Sequence, residues 1–272
     1  MAYEEEVLFK FNKGHKVSYK LFSDGISESG LVIILPAMGV RGSYYKRLAR
    51  CIVEEKEKDV ITLDYRGMGT STVRADRRNK IGYQAMINDL YEIVNSIIDD
   101  KSYNQIELCG HSLGGQVACM FGARYSDCIN HIILIGSSLP YYKDWPGKRR
   151  HWLKFAGKFF VPLSQLIGYF PGQKFGFAGR EGIQTMKDWC HLVNTGRLEP
   201  MGSSFNYNSA IEKYTGKVRA FSFTEDEMTP SETVSQLVNK FKSSASVSHH
   251  IIEGFNHFNW SKSPLHIVKH IP

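Results

Sequence analysis

The order of apolar and polar residues predicts a strand hairpin at the start of the chain and buried strands after it. Residues 5–11 and 16–22 alternate with a period of two and are separated by Asn12, Lys13 and Gly14, as in an antiparallel hairpin. Six mostly apolar runs follow, at 31–35, 60–63, 106–109, 131–135, 218–223 and 248–252. Such runs are typical of parallel strands that are covered on both faces. Together they predict a sheet of about eight strands.

Helical patterns lie between the predicted strands. Apolar residues three and four positions apart predict helices at 44–57, 84–98, 115–123, 232–242 and 264–271. Strands that alternate with helices indicate a doubly wound α/β sheet. Residues 140–200 interrupt the alternation, with many aromatic residues, helical pieces at 149–160 and 182–193, and no strand-like run. We interpret 140–200 (the inserted segment) as an insertion into a core formed by residues 1–139 and 201–272.

Length and composition favour a folded protein of a reducing compartment. The 272 residues are 42% hydrophobic and 12% aromatic, enough for a large core, and 22% charged, which excludes general disorder. Five scattered cysteines predict unpaired thiols rather than a disulfide framework. Three glutamates at 4–6 stand where a signal peptide has basic residues, and no apolar run approaches the roughly 20 residues of a membrane span. We therefore predict a cytoplasmic protein.

A serine flanked by glycines follows the fifth predicted strand directly. Gly110-His111-Ser112-Leu113-Gly114 stands between that strand and the helix at 115–123, which is the context of a G-x-S-x-G nucleophile elbow. Glycines two residues before and after the serine let strand and helix approach closely. The alternative is a glycine-rich turn whose serine only caps the helix. The position after a strand favours the elbow, so Ser112 is the predicted nucleophile.

A serine nucleophile needs a base, and the base needs a group that orients it. Asp226 follows the predicted strand at 218–223 and precedes Pro230 by four residues, and His257 follows the last predicted strand. Loops beyond the carboxyl ends of the strands hold the active sites of open α/β sheets. We predict Asp226 as the acid and His257 as the base.

Two carboxylates and three histidines compete for these roles: Glu225 and Glu227, His249 and His250, and His111. The two glutamates flank the chosen aspartate, so each is compatible with the role of the acid. The first two histidines lie inside the last predicted strand, where a histidine is more often structural, and the third is the variable residue of the elbow. The turn at 136–138, after the sixth strand, carries no carboxylate.

The tetrahedral intermediate of such a reaction needs hydrogen-bond donors for its oxyanion. The backbone amide of Leu113, directly after the serine, is the first predicted donor. The third strand runs into Pro36-Ala37-Met38-Gly39, whose small residues suit a tight curve, and the Met38 amide is the second. The chain carries no GxxxxGK[ST], HExxH or paired CxxC motif, so we predict no cofactor and no metal.

These motifs resemble those of the α/β-hydrolase superfamily over nearly the whole chain. The order Ser112, Asp226, His257 is that superfamily's order, and Asp64-Tyr65-Arg66-Gly67-Met68-Gly69-Thr70-Ser71 after the fourth strand adds to the likeness. Residues 36–39 stand where many members have a His-Gly pair. With Gln116 after the elbow, the chain is similar to a branch of predicted bacterial hydrolases. The resemblance implies an α/β-hydrolase fold, with a mostly parallel eight-stranded sheet, helices on both faces, and the inserted segment as a helical cap.

The positive charge of the chain is concentrated in the inserted segment. The chain has a net charge of +7, of which this segment carries +6, with ten basic residues against four acidic ones; it also holds 12 of the 34 aromatic residues. The pattern at 149–160 predicts a basic amphipathic helix with Trp152, Phe155, Phe159 and Phe160 on one face. We predict that Trp152, Phe155 and Phe159 line a substrate pocket.

Three interpretations of this composition stay open. The aromatic residues dock the segment on the core while the lysines face solvent; or they form an apolar acyl pocket with a basic mouth for an anionic substrate; or the segment makes transient contact with a membrane surface. Nucleic-acid binding is not predicted, because no recognisable module accompanies the charge. The basic charge argues against an aminopeptidase, which needs acidic residues beside the substrate's ammonium group.

The sequence predicts a serine hydrolase that cleaves a small-molecule ester or thioester through an acyl-enzyme intermediate. An acyltransferase is the alternative among enzymes, because the acyl-enzyme is common to both reactions. A non-catalytic protein that uses the same pocket as a receptor is the alternative from another class. The acyl chain and the oligomeric state are left open by the sequence.

Overall fold

The strands form one large sheet, and Ser112, Asp226 and His257 follow the carboxyl ends of three of its parallel strands. The computed structural model describes residues 3–25, 30–100, 103–176 and 178–271. The sheet has eight strands in the order β1-β2-β4-β3-β5-β6-β9-β10. Their bounds are β1 Tyr3–Lys10, β2 Lys16–Ser23, β3 Leu31–Leu35, β4 Asp59–Leu63, β5 Ile106–His111, β6 His131–Ile135, β9 Lys217–Phe223 and β10 Ser246–Ile252. The pairs β1–β2 and β2–β4 are antiparallel and the other five are parallel, so the predicted fold class is confirmed.

Helices cover both faces of this sheet because the strands are apolar on both sides. Leu31, Ile33 and Leu35 of β3 pack in one hydrophobic cluster, whereas Val32 and Ile34 pack in the other. Helices α2, α3, α6 and α7 contribute to the first cluster, and α1 and α8 to the second. The helices of the described residues are α1 Lys46–Lys56, α2 Tyr83–Asp100, α3 Leu113–Arg124, α4 Gly147–Ile167, α5 Ile183–Thr195, α6 Tyr207–Lys213, α7 Ser231–Val238 and α8 Leu265–Val268.

The inserted segment lies between β6 and α6 and has a hydrophobic cluster of its own. It contains α4, α5 and a pair of two-residue strands, β7 (Phe170–Pro171) and β8 (Arg180–Glu181). Leu153 and Phe160 of α4 pack there with Trp189 of α5. The two helices extend the pieces predicted at 149–160 and 182–193, whereas β7, β8 and α6 were not predicted. No helix within the described ranges is long and apolar enough to cross a membrane.

Candidate active site

Ser112 sits in a sharp turn between β5 and α3, as the elbow pattern predicts. Its backbone has φ +53° and ψ −116°, a region that residues with a side chain rarely adopt. The N–H of Ser112 donates to the carbonyl of Ile135 on β6 (3.0 Å), and its own carbonyl accepts from the N–H of Gly115 (3.0 Å). These bonds hold the strained residue, whose side chain lines a cavity.

The glycines of the elbow are required by close contacts. A Cβ on Gly110 would lie 2.3 Å from the backbone nitrogen of Gly115, and a Cβ on Gly114 would lie 2.1 Å from the carbonyl oxygen of Leu35. The second contact joins the elbow to the loop that follows β3. Strand, helix and loop therefore meet within van der Waals distance around Ser112.

The structure brings Asp226 and His257 together, although they are 31 positions apart. His257 Nδ1 donates to Asp226 Oδ2 (2.8 Å), and both side chains are buried. Asp226 Oδ1 accepts from the N–H groups of Met228 (2.8 Å) and Thr229 (2.9 Å), and Oδ2 also accepts from the Thr229 hydroxyl. These donors satisfy a carboxylate that would otherwise be costly to bury. In the neutral ring, a proton held at Nδ1 leaves Nε2 as the hydrogen-bond acceptor.

Three of the competing side chains, those of Glu225, Glu227 and His249, are exposed or bonded to other groups. Glu225 and Glu227 are exposed, and Glu227 pairs with Arg149 of α4 at 2.6 Å. His249 bonds to the hydroxyls of Ser222 and Ser235, away from the cavity. The turn at 136–138 supplies no carboxylate. It packs closely against the site, because a Cβ on Gly136 would lie 3.3 Å from both Asp226 and His257.

Ser112 and His257 line the same cavity but are not hydrogen-bonded to each other. Within the described residues, the Ser112 hydroxyl has no hydrogen bond within 3.5 Å. Nucleophile and base are often separated in enzymes without substrate, and their hydrogen bond forms when the substrate is bound. The arrangement thus has an oriented imidazole and a strained serine facing one space.

A buried chain of hydrogen bonds, which sequence reasoning missed, ties the base to the loop after β3. The N–H of Ala37 donates to Tyr45 Oη (2.9 Å), which donates to His111 Nδ1 (2.8 Å); His111 Nε2 donates to the carbonyl of His257 (2.9 Å). A carbonyl only accepts, so the His111 proton is at Nε2. Burial holds the pKa of His111 well below its ordinary value, which keeps the ring neutral. The variable residue of the elbow therefore positions the predicted base.

The two predicted oxyanion donors flank this region. Leu113 is the first residue of α3, so its N–H lies outside the helical ladder. In the loop after β3, Pro36 has no N–H and the N–H groups of Ala37 and Val40 are bonded. Among the described residues, no acceptor meets the N–H of Met38. Neither Met38 nor Leu113 is among the residues that line the cavity, so their role stays a prediction.

The cavity beside Ser112 has a volume of about 490 Å³ and lies between the sheet and the inserted segment. Trp145, Trp152, Leu153 and Trp189 give it apolar walls. Lys148 and Arg149, at the start of α4, add positive charge, and no carboxylate is among the residues that line it. Gln116 lines the floor, fixed by Tyr83 (2.8 Å) and the Ser138 carbonyl (2.9 Å).

Two of the three predicted pocket residues are placed outside this cavity. Trp152 lines it, but Phe155 and Phe159 do not; they are 51% and 54% exposed and stack on each other at 4.4 Å. Phe160, predicted on the same face, is instead buried in the cluster with Trp189. The structure differs from the prediction for Phe155 and Phe159 because residues 152, 155 and 159 form a stripe beside the buried stripe of 153, 156 and 160.

No metal site is visible in the described part of the chain. Nowhere among these residues do three or more His, Cys, Asp or Glu side chains lie close enough to hold an ion. The cysteines Cys109, Cys119 and Cys190 are buried, and burial raises the pKa of each thiol.

The fold, the elbow and the cavity define an α/β-hydrolase. Residues 27–186, more than half of the 272, match the family described as "Serine aminopeptidase, S33", and the chain belongs to that family. A curated relative, an abhydrolase domain-containing protein of Schizosaccharomyces pombe, is 21% identical over 131 residues, which cover 48% of this chain and 45% of the relative. The chain thus matches less than half of the length of that relative.

Solved structures share the fold over the whole chain. The thioesterase domain from the curacin biosynthetic pathway is 12% identical with a TM-score of 0.66, covering 99% of both chains. An esterase from Exiguobacterium antarcticum is 16% identical with a TM-score of 0.65, covering 98% of both. At these identities the likeness shows the fold, which agrees with the family match.

Proposed function

We propose that the protein is a serine hydrolase that cleaves a carboxylic ester or thioester. The observation that carries the proposal is the Asp226–His257 hydrogen bond (2.8 Å), together with the lining of one cavity by both His257 and Ser112. An imidazole fixed with its proton at Nδ1 is prepared to accept a proton at Nε2. The strained elbow supports the role of Ser112 as nucleophile, since a serine held at φ +53° presents its hydroxyl at the N-terminus of α3.

The reaction follows from these positions. Ser112 Oγ attacks the substrate carbonyl carbon while His257 Nε2 takes the hydroxyl proton, and Asp226 stabilises the resulting imidazolium. The amides of Leu113 and Met38 donate to the oxyanion. Collapse of the intermediate breaks the bond to the alcohol or thiol, which leaves with the proton from His257. A water molecule then attacks the acyl-enzyme and loses a proton to His257. The bond from the acyl carbon to Ser112 Oγ breaks, His257 returns the proton to Oγ, and the carboxylic acid is released.

The cavity supports a substrate with an apolar part and a negative charge. Its tryptophan and leucine walls suit an acyl or aromatic group, and a volume of about 490 Å³ is in the range of small-molecule sites. Arg149 is bonded to Glu227, whereas Lys148 has no carboxylate within 4.0 Å among the described residues, so Lys148 is our candidate for the anionic group. The thioesterase and the esterase of similar fold are named for the two bond types that we propose.

Aminopeptidase activity, which the family description names, is disfavoured by the same lining. An ammonium group needs a carboxylate nearby, because burying it without a partner is costly. None of the residues that line the cavity is acidic, and two are basic. A panel of aminoacyl p-nitroanilides should therefore show little turnover compared with neutral and anionic p-nitrophenyl esters.

Labelling with a fluorophosphonate probe tests the proposal. We expect the wild type and Ser138→Ala to be labelled and Ser112→Ala to remain unlabelled, since Ser138 lines the same cavity outside the elbow. Equal labelling of wild type and Ser112→Ala would show that the nucleophile is another residue. Absence of labelling in every variant would favour the non-catalytic alternative. Product analysis with an added alcohol, which separates free acid from transferred acyl group, then distinguishes a hydrolase from an acyltransferase.

A further inference from the structure

Helix α4 carries two apolar stripes, and only one of them is covered. Leu153, Ala156 and Phe160 are buried within the inserted segment. The second stripe (the exposed apolar stripe) follows the same three- and four-residue spacing one position earlier. It consists of Trp152, Phe155, Phe159 and Leu166, which are 43%, 51%, 54% and 76% exposed. Trp152 contacts Phe160 (5.9 Å between ring centroids) and Phe155 stacks on Phe159 (4.4 Å), but more than two fifths of each of the four residues stays exposed.

Positive charge borders this stripe along the helix. Lys154 and Lys158 precede Phe155 and Phe159 by one residue each and are exposed. Lys148 stands four residues before Trp152, at the start of the stripe. None of these three lysines has a carboxylate within 4.0 Å in the part of the chain that the structure describes. At the other end, Arg77 donates to the carbonyl of Leu166 (2.6 Å), which places a further cation there.

The exposed apolar stripe reaches the active-site cavity. Trp152 belongs to the stripe and also lines the cavity. Phe175, which is 49% exposed, lines the cavity as well and adds apolar surface at this end. A surface in contact with the stripe would thus lie next to the cavity.

We propose that the exposed apolar stripe of α4 docks on a lipid surface that carries anionic headgroups. Aromatic and leucine side chains on one face of a helix, with lysines beside them, match the apolar boundary and the negative charge of such a surface. A helix lying in the plane of the interface buries its apolar side chains while its lysines reach the headgroups. A contiguous exposed patch of this kind marks an interaction site rather than ordinary surface.

The test uses the whole protein with vesicles of phosphatidylcholine alone or mixed with phosphatidylglycerol. We expect it to co-sediment with the mixed vesicles and much less with the neutral ones. Trp152 reports the contact directly, because the other three tryptophans are only 1–5% exposed. Its fluorescence should be quenched when the lipids carry bromine on their acyl chains.

Paired variants separate the apolar and the electrostatic parts. Phe155→Ser with Phe159→Ser should lower the vesicle partition coefficient more than tenfold. Lys154→Gln with Lys158→Gln should lower it about thirtyfold on mixed vesicles and leave binding to neutral vesicles unchanged. The matched controls are Leu8→Ser with Ile251→Ser, exposed apolar residues elsewhere, and Lys13→Gln with Lys213→Gln. They should bind within twofold of the wild type, and thermal unfolding shows whether each variant is folded.

Several results would overturn the proposal. One is a failure of the protein to bind mixed vesicles, and another is a loss of binding in the control variants as large as in the stripe variants. A loss of binding in the lysine variant but not in the phenylalanine variant would indicate an acidic macromolecule as the partner. A dimer in sedimentation analysis that the phenylalanine variant dissociates would make the stripe a contact between two copies. The vesicle assay contains no ester, so its outcome is independent of the proposed hydrolysis.

Discussion

Asp226→Asn is the sharpest test of the proposed site, because the structure determines how the new side chain must lie. Oδ1 of Asp226 accepts from two backbone N–H groups, those of Met228 and Thr229. An asparagine keeps its oxygen there, so its NH₂ group must face His257 at the position of Oδ2. This NH₂ donates to Nδ1 and moves the imidazole proton to Nε2. The ring then offers Ser112 a donor where catalysis needs an acceptor.

The expected loss is large because two effects combine. The wrong tautomer removes the general base, and the imidazolium of the transition state loses its carboxylate partner. An equivalent substitution in serine proteases costs about four orders of magnitude in kcat, or about 5.5 kcal/mol of transition-state stabilisation. We expect kcat for a p-nitrophenyl ester to fall by about 10³ to 10⁴ while KM changes little, since Asp226 is buried behind His257.

The assay is steady-state hydrolysis at pH 7–8 with the folded state checked by circular dichroism. Glu225→Gln and Glu227→Gln are the matched controls, because these exposed carboxylates do not contact His257. Both should keep kcat within about threefold of the wild type. An Asp226→Asn enzyme with more than a tenth of the wild-type kcat would refute the reasoning, as would an equal loss in either control.

Three further predictions concern stability and substrate preference. Burial raises the pKa of Glu181 from 4.5 to about 7, so the folded state binds a proton that the unfolded chain releases. Its contribution to stability is therefore complete below pH 4.5 and lost as the pH rises through 7. At pH 8–9, urea unfolding should show Glu181→Gln to be up to about 3 kcal/mol more stable than the wild type. Near pH 4.5 the two proteins should differ little. Lys148→Gln should raise KM about twofold to fivefold for an ester with a terminal carboxylate, and leave KM for the neutral ester of equal length unchanged. Tyr45→Phe should lower the free energy of unfolding by about 1–3 kcal/mol and reduce kcat severalfold, because Ala37 N–H and His111 Nδ1 lose their buried partner.

Each of these predictions has a control on the same chain. Exposed Glu225→Gln should leave the pH dependence of stability as in the wild type, and a parallel change in both glutamate variants would contradict the assignment to Glu181. The variant Lys213→Gln, at an exposed position of α6, should change neither KM, so an equal effect there would indicate a general loss of charge. Tyr91→Phe should cost less than about 0.5 kcal/mol. If it costs as much as Tyr45→Phe, the buried hydrogen-bond chain does not carry the effect.

The candidate site could be located from the sequence because its parts follow strands. The elbow needs glycines at fixed distances from Ser112, and the loops with Asp226 and His257 directly follow apolar runs. Neither the bond between Asp226 and His257 nor the link from Tyr45 through His111 leaves such a local pattern. These bonds join residues 31, 66 and 146 positions apart, so only the packed sheet brings the partners within reach.

Hydrophobic periodicity by itself determined the α/β architecture, because a period of two or of 3.6 specifies a strand or a helix and its apolar face. The residue composition also placed the excess positive charge in the inserted segment. The tertiary structure decided what each apolar face touches. On α4 the sequence offers adjacent apolar stripes, and packing against α5 buries Phe160, leaves Phe155 and Phe159 exposed, and turns Trp152 to the cavity. Neighbouring stripes have similar hydrophobicity, so only the shape of the surface that meets the helix distinguishes them.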